Sequence, residues 1–208
     1  MKASTQLLSP YYYSFFVLML TFANLVEARI GESSSTIDAR VIHSGGIQYR
    51  DEAIKNNRQQ GMRYIGFLNL MKNFELKIYF KSADGSKPKS SDMNPRRMSS
   101  GWDLHVIYIG GRSVFEAYRR SSSMTEFEFN QILKMQAGDS YWKKIGRPED
   151  GSEFLSILGC NLERADGAIR AIRQGNDLIF IDSALDTALA KKRLENQQSS
   201  APRSVMGF

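Results

Sequence analysis

The chain has 208 residues, 42% of them hydrophobic and 11% aromatic, and a formal net charge of +6, with an isoelectric point near 9.4. That is enough apolar material for one good core or two small ones, and the positive balance favours anionic neighbours such as nucleic acid, phosphorylated headgroups or acidic polysaccharide. One cysteine, Cys160, and two histidines, His43 and His105, exclude an internal disulfide and leave nothing arranged at metal-ligand spacing.

Residues 1–28 read as a signal peptide. Lys2 supplies a short positive region, Tyr11 to Val26 is apolar, and Val26-Glu27-Ala28 offers small residues at the positions a signal peptidase reads. Cleavage after Ala28 would start the mature chain at Arg29 and leave an exported protein, periplasmic or extracellular, without a membrane span. The alternative is an uncleaved anchor, since the apolar run is only a little short of a full span. Cys160 lies far from this segment and cannot carry a lipoprotein lipid.

Ile37, Val41 and Ile42 share one helical face behind a cap at Ser34 or Ser35, and Gly45-Gly46 ends the pattern. Asp51 to Gln60 is polar and predicts a second helix stopped by Gly61. Met62 to Met71 suits a helix through Tyr64, Leu68 and Met71 and a strand through Tyr64 to Phe67, and the reading leans to helix. Alternation of Phe74, Leu76, Ile78 and Phe80 with polar neighbours predicts a strand to Lys81. Ala83 to Ser86 turns the chain, and Lys87 to Ser100, holding Pro88 and Pro95 and no apolar period, predicts an exposed basic loop.

Trp102, Leu104, Val106 and Tyr108 alternate into Gly110-Gly111, which predicts a hairpin with a two-residue turn and a return strand from Ser113 to Arg119. That turn places Val106 opposite Phe115, Leu104 opposite Ala117, His105 opposite Glu116 and Ile107 opposite Val114. Thr125 with Glu128 forms a capping box, Met124 and Phe129 a hydrophobic staple, and Gly138 a stop, so a helix spans Glu126 to Ala137. Tyr141 to Lys144 opens a strand and Arg147 to Ser152 makes a charged turn. Phe154 to Leu162, Ala168 to Arg173 and Leu178 to Ile181 are read as further strands, and a last helix from Ala184 to Glu195 is capped by Ser183 with Asp186.

The expected class is α+β, an antiparallel sheet of hairpin and meander type with helices packed on one face. Residues 29–195 form one α+β unit, divisible into 29–121 and 122–195, and 196–208 is a tail.

No phosphate loop, dinucleotide fingerprint or serine-hydrolase elbow occurs, and no cofactor is implied. Cys160 reads as a small core residue and His105 as the cross-strand partner of Glu116, so no catalytic residue is assigned. Basic residues stand beside aromatics: Lys87, Lys89, Arg96, Arg97, Arg119 and Arg120 are candidate anion ligands, and Trp102, Tyr118 and Trp142 candidate aromatic contacts. The loop from Lys87 to Arg97 and the end of the return strand belong to one end of the sheet, where paired arginines would grip a phosphate or carboxylate. The function read from this is a non-catalytic envelope or secreted binding module, its partner an envelope protein or an anionic envelope polymer and not a specific nucleic acid. The alternatives are a secreted hydrolase with an unrecognised site and a basic binder of lipopolysaccharide or nucleic acid.

The set Arg29-Ile30-Gly31-Glu32-Ser33, Gly110-Gly111-Arg112-Ser113-Val114 with Glu116 and Tyr118, Met124-Thr125-Glu126, Ser140 and Trp142 resembles a family of exported bacterial proteins of unknown function, of Verrucomicrobia type. The resemblance covers nearly the whole chain after the leader, down to Gly207-Phe208, and departs from it at Arg63, where proline is expected. It implies an envelope or secreted setting and no activity.

Overall fold

The computed structural model describes residues 30–88, 100–146 and 154–200. The leader, Lys89, Arg96, Arg97 and residues 201–208 lie outside the described residues.

In chain order the elements are α1 (Ser34–His43), β1 (Ile47–Gln48), α2 (Glu52–Gln59), a 3₁₀ helix (Arg63–Leu70), β2 (Phe74–Ser82), β3 (Gly101–Ile109), β4 (Arg112–Arg120), α3 (Glu126–Ala137), β5 (Trp142–Lys144), β6 (Leu162–Arg164), β7 (Ile169–Gln174), β8 (Asp177–Asp182) and α4 (Ser183–Ser199). The strands form one eight-stranded sheet in the order β1-β2-β3-β4-β8-β7-β6-β5. Every pairing in it is antiparallel. This is the α+β architecture expected, with helices beside an antiparallel sheet.

The alternation of β3 and β8 explains how the helices divide. Leu104, Val106, Tyr108, Leu178 and Phe180 point to one face, where Ile37 and Val41 of α1 and Ile132 of α3 cover them. Ile107, Ile179 and Ile181 point to the other, under Tyr64 and Phe67 of the 3₁₀ helix, Leu158, Cys160 and Leu189 of α4. The expected helical layer is therefore present, and a second layer closes the opposite face. Strands buried on both sides carry apolar residues at successive positions, as Val106-Ile107-Tyr108 and Leu178 to Ile181 do.

Local chemistry sets the ends of α3. Thr125 accepts from Glu128 N while the Glu128 carboxylate accepts from Thr125 N, closing the capping box, and Gly138 stops the helix at φ 60°. The other caps sit one residue before their expected places, at Ser33 for α1 and Asp182 for α4. The last helix runs on to Ser199, so residues 196–199 are helix and not tail. The segment from Met62 to Met71 is helical but tightly wound, and Arg63 at its start donates from NH1 to Leu158 O at 2.8 Å.

Two expectations are corrected. Residues 154–160 are not a strand, and β6 begins only at Leu162. Side chains satisfy this segment's backbone instead of a neighbouring strand: Ile157 N donates to Asp186 Oδ1 and Cys160 N to Ser156 Oγ. Its apolar residues, Leu158 and Cys160 among them, are there for burial.

The hairpin register is the second correction. Gly110 and Gly111 do form the two-residue turn, at φ 59° and 76°. Ile109 pairs with Arg112 and Tyr108 with Ser113, but Ile107 then pairs with Phe115, so Val114 is an extra residue, a β-bulge. Beyond it every partner moves by one: Val106 faces Glu116, His105 faces Ala117, Leu104 faces Tyr118 and Trp102 faces Arg120. His105 and Glu116 consequently leave the sheet on opposite faces. His105 meets Tyr64 under the 3₁₀ helix, and Glu116 accepts from Tyr118 and from Gln136 of α3.

Candidate functional site

Helices α1 and α3 lie on the same face without closing over it, and between them is a cleft of about 570 Å³, inside the roughly 300–1,000 Å³ range of small-molecule pockets. Strand register builds it in rows. Tyr79, Leu104 and Tyr118 are cross-strand neighbours on β2, β3 and β4 and form the floor. Lys81, Trp102 and Arg120 form the next row toward the strand ends, and Lys81 and Trp102 line the mouth. Val41 of α1 and Ile132 and Met135 of α3 make apolar walls. Phe127, on the first turn of α3, stands at the rim with 73% of its surface exposed.

The close approach of β2 and β3 beside the mouth depends on Gly101. A Cβ there would lie 2.3 Å from Lys81 O and 2.8 Å from the Phe80 ring, too near for any side chain.

Polar groups of the cleft fall into two sets. The acidic ones are occupied. Asp84 Oδ1 accepts from Ser86 Oγ, Ser86 N and Ser82 Oγ, and these hydrogen bonds hold its carboxyl down at about 2. Glu128 caps α3 through Oε2 and accepts from Arg120 Nε at 3.1 Å through Oε1. The capping bonds from Thr125 keep the Glu128 carboxyl below its ordinary range. The basic set is less used. Arg40 bonds Glu32 through NH1, while its buried Nε and NH2 have no hydrogen-bond partner among the described residues. The Lys81 side chain makes no hydrogen bond or ion pair among the described residues.

The residues singled out in the sequence scatter around this cleft. Trp102 and Tyr118 line it. Arg120 stands beside it, stacked on Trp102 with 5.3 Å between guanidinium carbon and ring centre and paired with Glu128. Arg119 points to the opposite face, where Nε and NH2 grip the Asp177 carboxylate at 2.8 and 3.0 Å and NH1 donates to Gln60 O. Trp142 packs on Phe180 and donates to Leu133 O at 2.8 Å, a brace for α3. Lys87 is exposed beyond the turn after β2. Leu104, Ile132, Met135, Arg40 and Lys81 were not picked out as site residues, because nothing in the sequence says which gap between two helices stays open.

On the other face is a buried polar group. Asp103 accepts from Tyr49 and Arg58 at 3.2 and 3.4 Å, and burial raises its carboxyl above the ordinary range. His105 is fully buried, with Nδ1 on the Tyr64 hydroxyl and Nε2 without a partner among the described residues. Burial, aided by the positive charges of Arg119 and Arg58, pushes its pKa down to about 3. The Cys160 thiol is buried and pushed up to about 12. A neutral, enclosed imidazole and a protonated, enclosed thiol are poor materials for a nucleophile and its base. Among the described residues no cluster of His, Cys, Asp and Glu could hold a metal ion, and no helix is long and apolar enough to cross a membrane.

No protein-family model, curated protein or solved structure matches the chain.

Proposed function

We propose that this is an exported binding module, of the bacterial envelope type its sequence resembles, and that it works by holding an apolar group in the cleft between α1 and α3. The observation that carries the reading is the cleft itself: an open, largely apolar space on a fully antiparallel sheet, with an aromatic, Trp102, at its mouth. Exposed Phe127 continues the apolar surface outward, where a solvated protein would ordinarily carry a polar residue. The hydrolase alternative loses support from the enclosure of His105 and Cys160. The polyanion alternative loses support from Arg119 and Arg120, both held in ion pairs within the fold.

Trp102 reports on the cleft directly. In the full chain carrying Trp142→Phe, the uncharged dye N-phenyl-1-naphthylamine is expected to quench Trp102 saturably, and Met135→Tyr, which fills one wall, to abolish the effect while circular dichroism stays unchanged. Absence of saturable quenching in the folded protein, or quenching indifferent to Met135→Tyr, overturns the reading.

A further inference from the structure

The charge left over at the cleft's rim has a sign. Of the acidic groups lining it, Asp84 is bonded to Ser82 and Ser86, and Glu128 to Thr125 and Arg120. Of the basic groups, Arg40 is paired with Glu32 through NH1, and the Lys81 side chain has no partner among the described residues. Lys81 leaves β2 directly beside Trp102 on β3, so its ammonium and the indole share the mouth. Arg40 approaches the same space from the last turn of α1. Below them Leu104 and Ile132 present hydrocarbon and Met135 a thioether, and the hydroxyls of the floor residues Tyr79 and Tyr118 are bonded to Asp38 and Glu116.

An apolar interior with a lysine at one edge that is unpaired among the described residues is complementary to a molecule built the same way in reverse. Resting on the cleft reading above, we propose that the ligand is a small amphiphile taken up as a monomer, with an aliphatic or aromatic body and one anionic group, in the simplest case a carboxylate. The anion sits at Lys81, and the body lies on Leu104, Ile132 and Met135. A neutral amphiphile would offer the ammonium of Lys81 no countercharge, and a cationic one would meet like charge. The preference among head groups is therefore anionic, then neutral, then cationic.

The test uses the full chain with Trp142→Phe, reading Trp102 fluorescence during titration with decanoate, 1-decanol and decyltrimethylammonium, each below its micelle concentration, at pH 7.5 and low salt. Decanoate should bind about tenfold more tightly than decanol, the scale of a charge-assisted contact at a partly enclosed site. Lys81→Gln should weaken decanoate about fivefold or more and leave decanol within about twofold. Equal affinities for decanoate and decanol, tightest binding by the cationic chain, or an anion preference that survives Lys81→Gln overturns the head-group assignment and leaves the cleft reading standing. If none of the three perturbs Trp102, both fail together.

Discussion

Tyr64 on the 3₁₀ helix and His105 on β3 share a buried hydrogen bond of 2.8 Å between hydroxyl and Nδ1, on the sheet face turned away from the cleft. The ring is neutral in the fold because burial lowers its pKa from 6.5 to about 3. The unfolded chain takes up a proton there below about pH 6.5, so the native state binds fewer protons through the interval from 6.5 down to 3. Stability carried by this group is complete above pH 6.5 and is lost as pH falls through that interval. Asp103, whose carboxyl burial raises, acts in the opposite sense at the acidic end.

Urea unfolding at pH 7.5 and pH 5.0 isolates the histidine. The wild-type chain should lose about 2 kcal/mol more between the two pH values than His105→Gln does. Equal losses in the two proteins would show that His105 does not titrate with unfolding.

The bulge at Val114 turns Glu116 toward α3, where Gln136 Nε2 donates to its carboxylate at 2.7 Å and the Tyr118 hydroxyl at 2.6 Å. This contact fastens α3 to the middle of the sheet. Gln136→Leu should cost about 1–3 kcal/mol, the usual scale for leaving a buried hydrogen-bonding group without its partner, measured by chemical denaturation. A loss below about 0.5 kcal/mol would mean that solvent or a shifted side chain replaces the amide.

Cys160 should behave as an inert core residue. With the thiol buried and pushed up to about 12, iodoacetamide at pH 7.5 should leave the folded chain unmodified and label it once in denaturant, as read by intact mass. Rapid labelling of the folded chain would return the thiol to consideration as a nucleophile.

Arg119 joins three parts of the fold, since it extends from β4, grips Asp177 at the start of β8 and reaches Gln60 after α2. Hydrogen bonding to Asp177 raises its pKa further. Arg119→Ala should lower stability by about 1–3 kcal/mol, because it strands a partly buried carboxylate. Its elution from heparin should shift no more than that of Lys191→Ala, an exposed control. A large shift without loss of stability would make Arg119 a polyanion ligand and not a brace.

Where a feature depends on neighbours a few residues apart, it was legible without a structure. The bounds of α3 follow from Thr125, Glu128 and Gly138, and the hairpin turn from Gly110-Gly111, because caps and positive φ angles are short-range chemistry. The register of the same hairpin was not legible. A turn dictates pairing only until a bulge intervenes, and the bulge at Val114 is stabilised by what Glu116 and Phe115 reach once α3 and the 3₁₀ helix are in place.

The misread of residues 154–160 has the same origin. An apolar run looks alike whether its backbone is satisfied by a strand or by Asp186 and Ser156, and that choice is made by residues from α4 and the segment's own side chains.

Sequence by itself determined the class of the fold, the main strands, the central helix and the turns between them, because periodicity and capping are written in adjacent residues. Tertiary structure decided that helices cover both faces, that His105 and Glu116 part company, and that α1 and α3 stand apart over Leu104. The cleft draws on α1, β2, β3, β4 and α3, and the width of a gap between two helices depends on the summed packing of side chains that no local pattern records.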